Sequence, residues 1–142
     1  MGKEIKKEEE VCRFLETVSL LAEDKNNVKI NNWTWADGKV NKTQLYMAET
    51  GIHKQDICDI IEELTVENYS ATKTDVNPNF PNEEVWEFGI NKIIIDTNVD
   101  LYIKLKVREI SGKYLLVMSF HPEQPASPKD KLEFPYSSKC KV

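Results

Sequence analysis

The sequence lacks the motifs that most directly identify an enzyme or a metalloprotein. Its 142 residues contain three cysteines, Cys12, Cys58 and Cys140, and no Cys-x-x-Cys pair. An odd number at wide spacing argues against a disulfide framework or a zinc site and fits a reducing cytosol. The common glycine-rich phosphate loops, the His-Glu-x-x-His motif and the nucleophile elbow are also missing, so the sequence predicts no cofactor.

Long apolar runs and a net positive charge are missing as well. No apolar segment reaches the roughly 20 residues that a membrane-spanning helix needs. The start, MGKEIKKEEE, has no apolar core of the kind found in signal peptides. The formal net charge is −5, which argues against a general nucleic-acid coat protein but not against a local basic site. We therefore expect neither a membrane partner nor direct binding to DNA.

One domain is expected over residues 1–142, because neither an internal repeat nor a Gly/Ser linker divides the chain. Apolar residues at helical spacing predict a first helix over residues 6–23. Asn41 resembles a helix cap, so a short helix should follow over 42–49, and an acidic helix is predicted over 54–64.

Strand patterns dominate the second half of the chain. In VWEFGI, Trp86 and Phe88 lie on one face and Glu87 on the other. The segment that follows, NKIIIDTNVD, fits either a strand extension or a loop. Residues 122–142 form a proline-rich tail that cannot be a central strand, and its Phe134-to-Tyr136 segment is expected to pack back on the domain.

The clearest pattern is DLYIKLKVREISGKYLLVMSFH, residues 100–121. Ser111-Gly112 divides it and predicts a hairpin with a two-residue turn. A two-residue turn fixes the antiparallel register, in which the residue numbers of every pair have the same sum. In this register apolar residues pair with apolar residues. The expected apolar pairs are Ile103–Phe120, Leu105–Met118 and Val107–Leu116, and the expected polar pairs are Tyr102–His121 and Lys104–Ser119.

The polar face of this hairpin has two interpretations. Antiparallel sheets often have one solvated side, so the face can be simply a wet surface. Alternatively, Lys104, Lys106 and Arg108, roughly 6.6 Å apart along the strand, are well placed to meet phosphates. Tyr102 and His121 beside them could stack on a base or transfer a proton.

Several segments, in order, resemble the MqsR family of type II toxins. ETGIHKQDICDIIEELTVENY is followed, after a gap, by VWEFG, LYIKLKV and LLVMSF. The order of amphipathic helix, variable loop, Trp-containing strand, Tyr-x-Lys strand and Ser-Phe strand also matches. The resemblance covers about residues 40–121 and leaves the N-terminal helix and the tail as additions.

The resemblance implies an α+β fold similar to the RelE-type toxins, an antiparallel sheet with the N-terminal helices packed on one face. Family members are mRNA interferases that a cognate antitoxin blocks. The implied partners are therefore an RNA substrate and an antitoxin, in the cytoplasm. The family's active-site positions fall here on Ala71, Glu87, Tyr102 and His121, with Lys73 near the first, and only Tyr102 keeps the family's residue.

These residues can still support RNA cleavage without a metal. Such cleavage needs a base for the 2′-OH, an acid for the leaving 5′-oxygen and cations for the charge on the phosphorane. We expect Glu87 to be the base and His121 the acid. Tyr102 would orient the phosphate, and Lys104 or Lys73 would stabilise the developing charge.

Direct RNA contacts are expected from a further set of side chains, Lys73, Lys106, Arg108 and Ser119. The leading interpretation is thus a toxin that acts as a metal-independent endoribonuclease. The alternative is a non-catalytic RNA- or protein-binding module on the same fold. Salt-sensitive RNA binding without cleavage would favour that alternative.

Overall fold

The computed structural model describes residues 3–34, 37–74, 79, 83–109, 112–124 and 131–137. Its helices are α1 (Glu8–Ala22), α2 (Lys42–Thr50) and α3 (Lys54–Glu62), with short 3-10 turns at Lys25–Asn27 and Val66–Asn68. Its strands are β1 (Val28–Ile30), β2 (Tyr69–Thr74), β3 (Glu84–Ile94), β4 (Thr97–Glu109) and β5 (Lys113–Pro122). None of the described helices is long and apolar enough to cross a membrane.

The strands form one five-stranded sheet in the order β1-β5-β4-β3-β2. The expected α+β class is confirmed, but a purely antiparallel sheet was wrong. Residues 28–30 of β1 pair in parallel with 115–117 of β5, while the other neighbours are antiparallel. A parallel pair needs a long crossover connection, and here the helices and the other strands provide it.

The three predicted helices are confirmed to within a few residues. The Asn41 side chain accepts hydrogen bonds from the backbone N–H groups of Thr43 and Gln44, as an N-cap should. The Gln44 side chain does not return to the cap and donates to Thr34 instead. The full capping box is therefore absent, although the helix begins where the sequence predicts.

The hydrophobic core lies between the helices and one face of the sheet. Phe14 of α1 stacks on Trp86 of β3, with 4.1 Å between the ring centroids. The fully buried members of the core include Val11, Val18, Ile57, Ile61, Phe88, Leu101, Ile103, Leu105 and Phe120. Glu87 and the cationic row of β4 consequently belong to the opposite face, called here the second face.

The predicted β4–β5 register is correct at one end of the hairpin and wrong at the other. Tyr102–His121, Ile103–Phe120 and Lys104–Ser119 pair as expected. A bulge then shifts the register, so Leu105 pairs with Val117 and Val107 with Leu115. Because YLLVMSF lacks alternation, several registers would bury apolar side chains equally well. The bulge buries Leu115 and Val117 completely.

The turn of this hairpin is longer than predicted. Glu109 pairs with Lys113, so residues 110–112 connect the strands rather than two residues alone. Gly112 has φ 110°, a conformation that glycine adopts easily. Ile110 and Ser111 lie outside the described residues.

The β3–β4 connection is a tight turn that the sequence did not reveal. Ile94 pairs with Thr97, leaving Ile95 and Asp96 as the turn residues. Their φ angles are 49° and 62°, in the left-handed region that Asn and Gly usually occupy in two-residue hairpins. A β-branched residue there is strained, and Ile95 is also exposed. The turn fixes β3 beside β4.

Replacing Ile95-Asp96 by Asn-Gly should stabilise the protein by about 1 kcal/mol, because it removes strain without removing a core contact. Urea unfolding of wild type and variant would measure the difference. The exposed Ile93→Asn substitution, next to the turn on β3, serves as the control for lost surface hydrophobicity. A variant less stable than wild type would contradict the strain at this turn.

The two ends of the described chain meet at the β2 edge of the sheet. Glu4 and Thr72 exchange backbone hydrogen bonds. Residues 131–137, called here the C-terminal strap, lie against the second face at Gly89 and reach Tyr69 with Tyr136. The Tyr136 hydroxyl donates to the Lys6 carbonyl at 2.6 Å, and its ring stacks on Tyr69. The expected packing of the tail against the domain is thus confirmed at Tyr136.

Candidate functional site

Three neighbouring strands bring the proposed catalytic side chains together on the second face. Glu87 of β3 lies opposite Lys104 of β4, which in turn lies opposite Ser119 of β5. Tyr102 pairs with His121 in the next register position of the same face. Because alternate residues of a strand share a face, this convergence follows from the register alone.

Glu87 and Tyr102 form the centre of the site. The Tyr102 hydroxyl donates a short hydrogen bond to Glu87 Oε2. Lys73 Nζ of β2 lies 3.4 Å from the same oxygen. Burial, followed by the hydrogen bond to Glu87, raises the pKa of Tyr102, so the phenol stays protonated at neutral pH.

Strand β2 contributes Ala71 and Lys73 to this centre. Ala71 is buried opposite Glu87, at the position where the resemblance would place a lysine. Lys73 lies two residues along the same strand face and supplies the cation from there. The cation that the resemblance predicts at the position of Ala71 is therefore supplied here from the next position of that face.

His121 is a buried neighbour of Tyr102, with 5.5 Å between the ring centroids. Its Nδ1 lies 2.8 Å from the Pro122 carbonyl oxygen. A carbonyl only accepts hydrogen bonds, so Nδ1 carries the proton and Nε2 keeps its lone pair in the neutral ring. Burial lowers the pKa of His121, and the charges of Lys42 and Lys104 lower it further.

Lys104 is the cation that lies between these groups. It faces Glu87 on one side and Ser119 on the other in the sheet register, and it is half-buried. Among the described residues it has no ion pair. A lysine in this position can stabilise negative charge on a substrate.

Lys106 and Arg108 continue the row of cations along β4, but both are already bound to an acidic side chain. Glu83, just before β3, accepts hydrogen bonds from Lys106 Nζ at 2.9 Å and from Arg108 Nη2 at 2.8 Å. The Lys106 side chain is only 1% exposed. Both cations were expected to contact RNA directly, and in this conformation they contact Glu83 instead. Glu83 had no distinguishing signal in its Pro/Asn-rich segment.

The C-terminal strap forms one wall beside the site. Gly89, which pairs with Tyr102, lies under Phe134 and Leu132 of the strap. A Cβ atom at Gly89 would lie 2.8 Å from Phe134 Cζ, so only glycine fits without displacing the ring. The Leu132 N–H also donates to Glu123 at 2.7 Å. The site is consequently bounded at Gly89 and continues along β4 towards Lys104.

Fold and site together define an α+β protein with a polar, cation-lined cluster on one sheet face. The model of a family described as "Motility quorum-sensing regulator, toxin of MqsA" matches residues 18–122. This match covers most of the chain, and it begins earlier than the resemblance over residues 40–121. The chain is thus a toxin of a toxin–antitoxin system, and it belongs to the MqsR toxin family.

The family description also supports an antitoxin as a partner. The comparisons with curated proteins and with solved structures gave no match. Similarity to RelE-type toxins therefore stays a prediction. The strap and the first turns of α1 lie outside the family match, although both contact the matched part, at Tyr69 and Trp86 respectively.

Proposed function

We propose that this toxin is a metal-independent endoribonuclease that cleaves mRNA through acid–base chemistry on the second face. The observation that carries the proposal is that a neutral histidine, a protonated tyrosine, a carboxylate and two lysines lie at neighbouring positions of one sheet face. Side chains of these types can activate a 2′-OH, protonate a leaving oxygen and stabilise a phosphorane. An mRNA substrate would make the cytoplasm the place of action.

The protonation states suggest that the expected roles of base and acid should be exchanged. Burial favours the neutral ring of His121, and its Nε2 has no hydrogen-bond partner among the described residues, so it is better suited to accept the 2′-OH proton than to donate one. Tyr102 keeps its proton, and once the leaving 5′-oxygen displaces Glu87 as the acceptor, Tyr102 can give that proton to it. Glu87 would hold Tyr102 in position until the substrate binds, with Lys73 balancing the charge of Glu87.

Lys104 would stabilise the negative charge that develops on the phosphorane. It extends from the same face as Tyr102 and has no ion-pair partner among the described residues. Ser119, opposite Lys104, can donate a hydrogen bond to a phosphate oxygen. The attack of the 2′-oxygen on phosphorus and the departure of the 5′-oxygen leave a 2′,3′-cyclic phosphate.

The test is cleavage of a single-stranded RNA by the purified protein in the presence of EDTA. Wild type should give fragments with 2′,3′-cyclic phosphate ends, and Tyr102→Phe should cleave about 100-fold more slowly because it lacks the proposed acid. Tyr46→Phe, at a tyrosine of α2 whose hydroxyl has no hydrogen-bond partner among the described residues, is the matched control. No cleavage by wild type, or equal cleavage by wild type and Tyr102→Phe, would refute the proposal.

A non-catalytic binding module is the second candidate. The observation that favours it is that the Tyr102 hydroxyl already donates to Glu87, so a substrate has to compete for it. Wild-type protein that binds RNA in a salt-sensitive way and leaves it intact would select this function. Expression of the protein alone, with growth of the host as the readout, separates the two functions in cells.

A further inference from the structure

Glu83 is held by two cations in the geometry that proteins use for phosphates. Arg108 Nε lies 3.0 Å from Glu83 Oε2, and Arg108 Nη2 lies 2.8 Å from Oε1. Lys106 Nζ approaches Oε1 as well, at 2.9 Å. The planar guanidinium forms the same two parallel hydrogen bonds with a carboxylate as with a phosphate. The hydrogen bond from Arg108 is the main cause that lowers the pKa of Glu83, so the carboxylate is ionised.

Lys106 and Arg108 lie on the path that an RNA strand would follow from the candidate site. Lys106 is two residues from Lys104 on the same face, a distance of roughly 6.6 Å along a strand. Beyond Arg108 the row continues to Tyr114, its partner on β5, where Lys29 Nζ lies 4.6 Å from the Tyr114 ring centroid. Cations and an aromatic ring thus follow one another along this face.

We propose that Lys106 and Arg108 form a second phosphate-binding position, that Glu83 occupies it in the free protein, and that a backbone phosphate of RNA replaces Glu83 when substrate binds. The inference rests on the proposed RNA substrate. It deepens that function by assigning a competing carboxylate within the chain, so the affinity for RNA is lowered by an internal anion.

The exchange is feasible because Glu83 is partly exposed while Lys106 always needs an anion beside it. Lys106 is almost completely buried, and a buried charge without a counter-ion is costly. The Glu83 side chain is 20% exposed, so it can turn towards solvent without movement of β4. A phosphodiester carries the same single negative charge as the Glu83 carboxylate, so the exchange leaves the net charge around the two cations unchanged.

The first experiment asks whether an anion site remains when the carboxylate is removed. Thermal unfolding of Glu83→Ala is followed with increasing inorganic phosphate, against sodium chloride at equal ionic strength. Phosphate should raise the Tm of Glu83→Ala in a saturable manner and beyond its general effect on wild type. Glu63→Ala, which removes a surface ion pair with Lys92, is the matched control and should behave as wild type. A Glu83→Ala protein without saturable stabilisation would overturn the proposal.

The second experiment asks whether RNA uses the same position. An RNA oligonucleotide with methylated 2′-OH groups, which cannot be cleaved, should bind Glu83→Gln about tenfold more tightly than wild type because the competing charge is gone. Glu83→Gln keeps the size of the side chain and a hydrogen-bond acceptor, so it also serves if Glu83→Ala does not fold. Phosphate binding without a gain in RNA affinity would mean a site for free anions only and would overturn the assignment to RNA. If Glu83→Gln binds RNA more tightly but wild type does not cleave RNA, the endoribonuclease is refuted and the second phosphate-binding position is still supported.

Discussion

Replacement of His121 by alanine should lower the rate of RNA cleavage by about 10²–10⁴-fold, the usual contribution of a general base. The neutral ring has its Nδ1 proton bound to the Pro122 carbonyl, which leaves Nε2 as the proton acceptor. Single-turnover cleavage of a labelled RNA would measure the rate. The other histidine, His53, caps α3, and His53→Ala is the matched control that should cleave as wild type does.

The pH dependence of the same reaction distinguishes a base from a residue that only supports the site. Because burial lowers the pKa of His121 below its usual 6.5, the neutral base predominates at pH 7. The wild-type rate should therefore rise with pH through a value below 6.5 and then level off. His121→Gln, which keeps the bulk of the side chain, should lose this rise. A rise of the same shape in both proteins would show that another group is the base.

Replacement of Phe88 by alanine should lower the free energy of unfolding by about 3–5 kcal/mol, since it opens a cavity in the core. Phe88 is completely buried, and its ring lies 5.8 Å from that of Tyr69 and 6.1 Å from that of Phe14. A loss of this size is a large part of the 5–15 kcal/mol that typically holds a domain folded. Urea unfolding with an unchanged m-value would measure it.

Phe88→Ala should also disturb the geometry of the candidate site, although less than it disturbs the core. Phe88 separates Glu87 from Gly89 along β3, so a shifted backbone would also move Glu87 relative to Tyr102. Ile93→Ala, at an exposed position of the same strand, is the control and should cost little. If Phe88→Ala and Ile93→Ala unfold at similar urea concentrations, the core is not organised around Phe88.

The helices and one sheet face could be predicted from sequence because their signals are local. The spacing of apolar residues marks α1 and α3, and Asn41 marks the start of α2. Tyr102–His121 was predicted correctly because two departures compensate: the turn has one residue more than predicted, and the bulge restores the expected register. Beyond it the register failed, since the continuous apolar run of β5 allowed a bulge that no residue type announces.

The remaining features depend on contacts between distant segments or on unusual conformations. Ile95 and Asp96 form a turn with positive φ angles, which their residue types do not suggest. Glu83 reaches cations more than twenty positions away, and nothing in its own neighbourhood marks it as their partner. Lys106 therefore looked like an exposed RNA contact, whereas the folded chain buries it.

The parallel pairing of β1 with β5 has a consequence for how the protein is made. Residues 28–30 are synthesised early, yet they have no partner in the sheet until residues 115–117 leave the ribosome. Because loop-closure entropy opposes contacts between distant parts of the chain, this pairing should also form slowly. His121 lies on that same late strand. A partly translated chain consequently lacks both the last strand and its histidine, so the candidate site assembles only after residues 115–121 have left the ribosome.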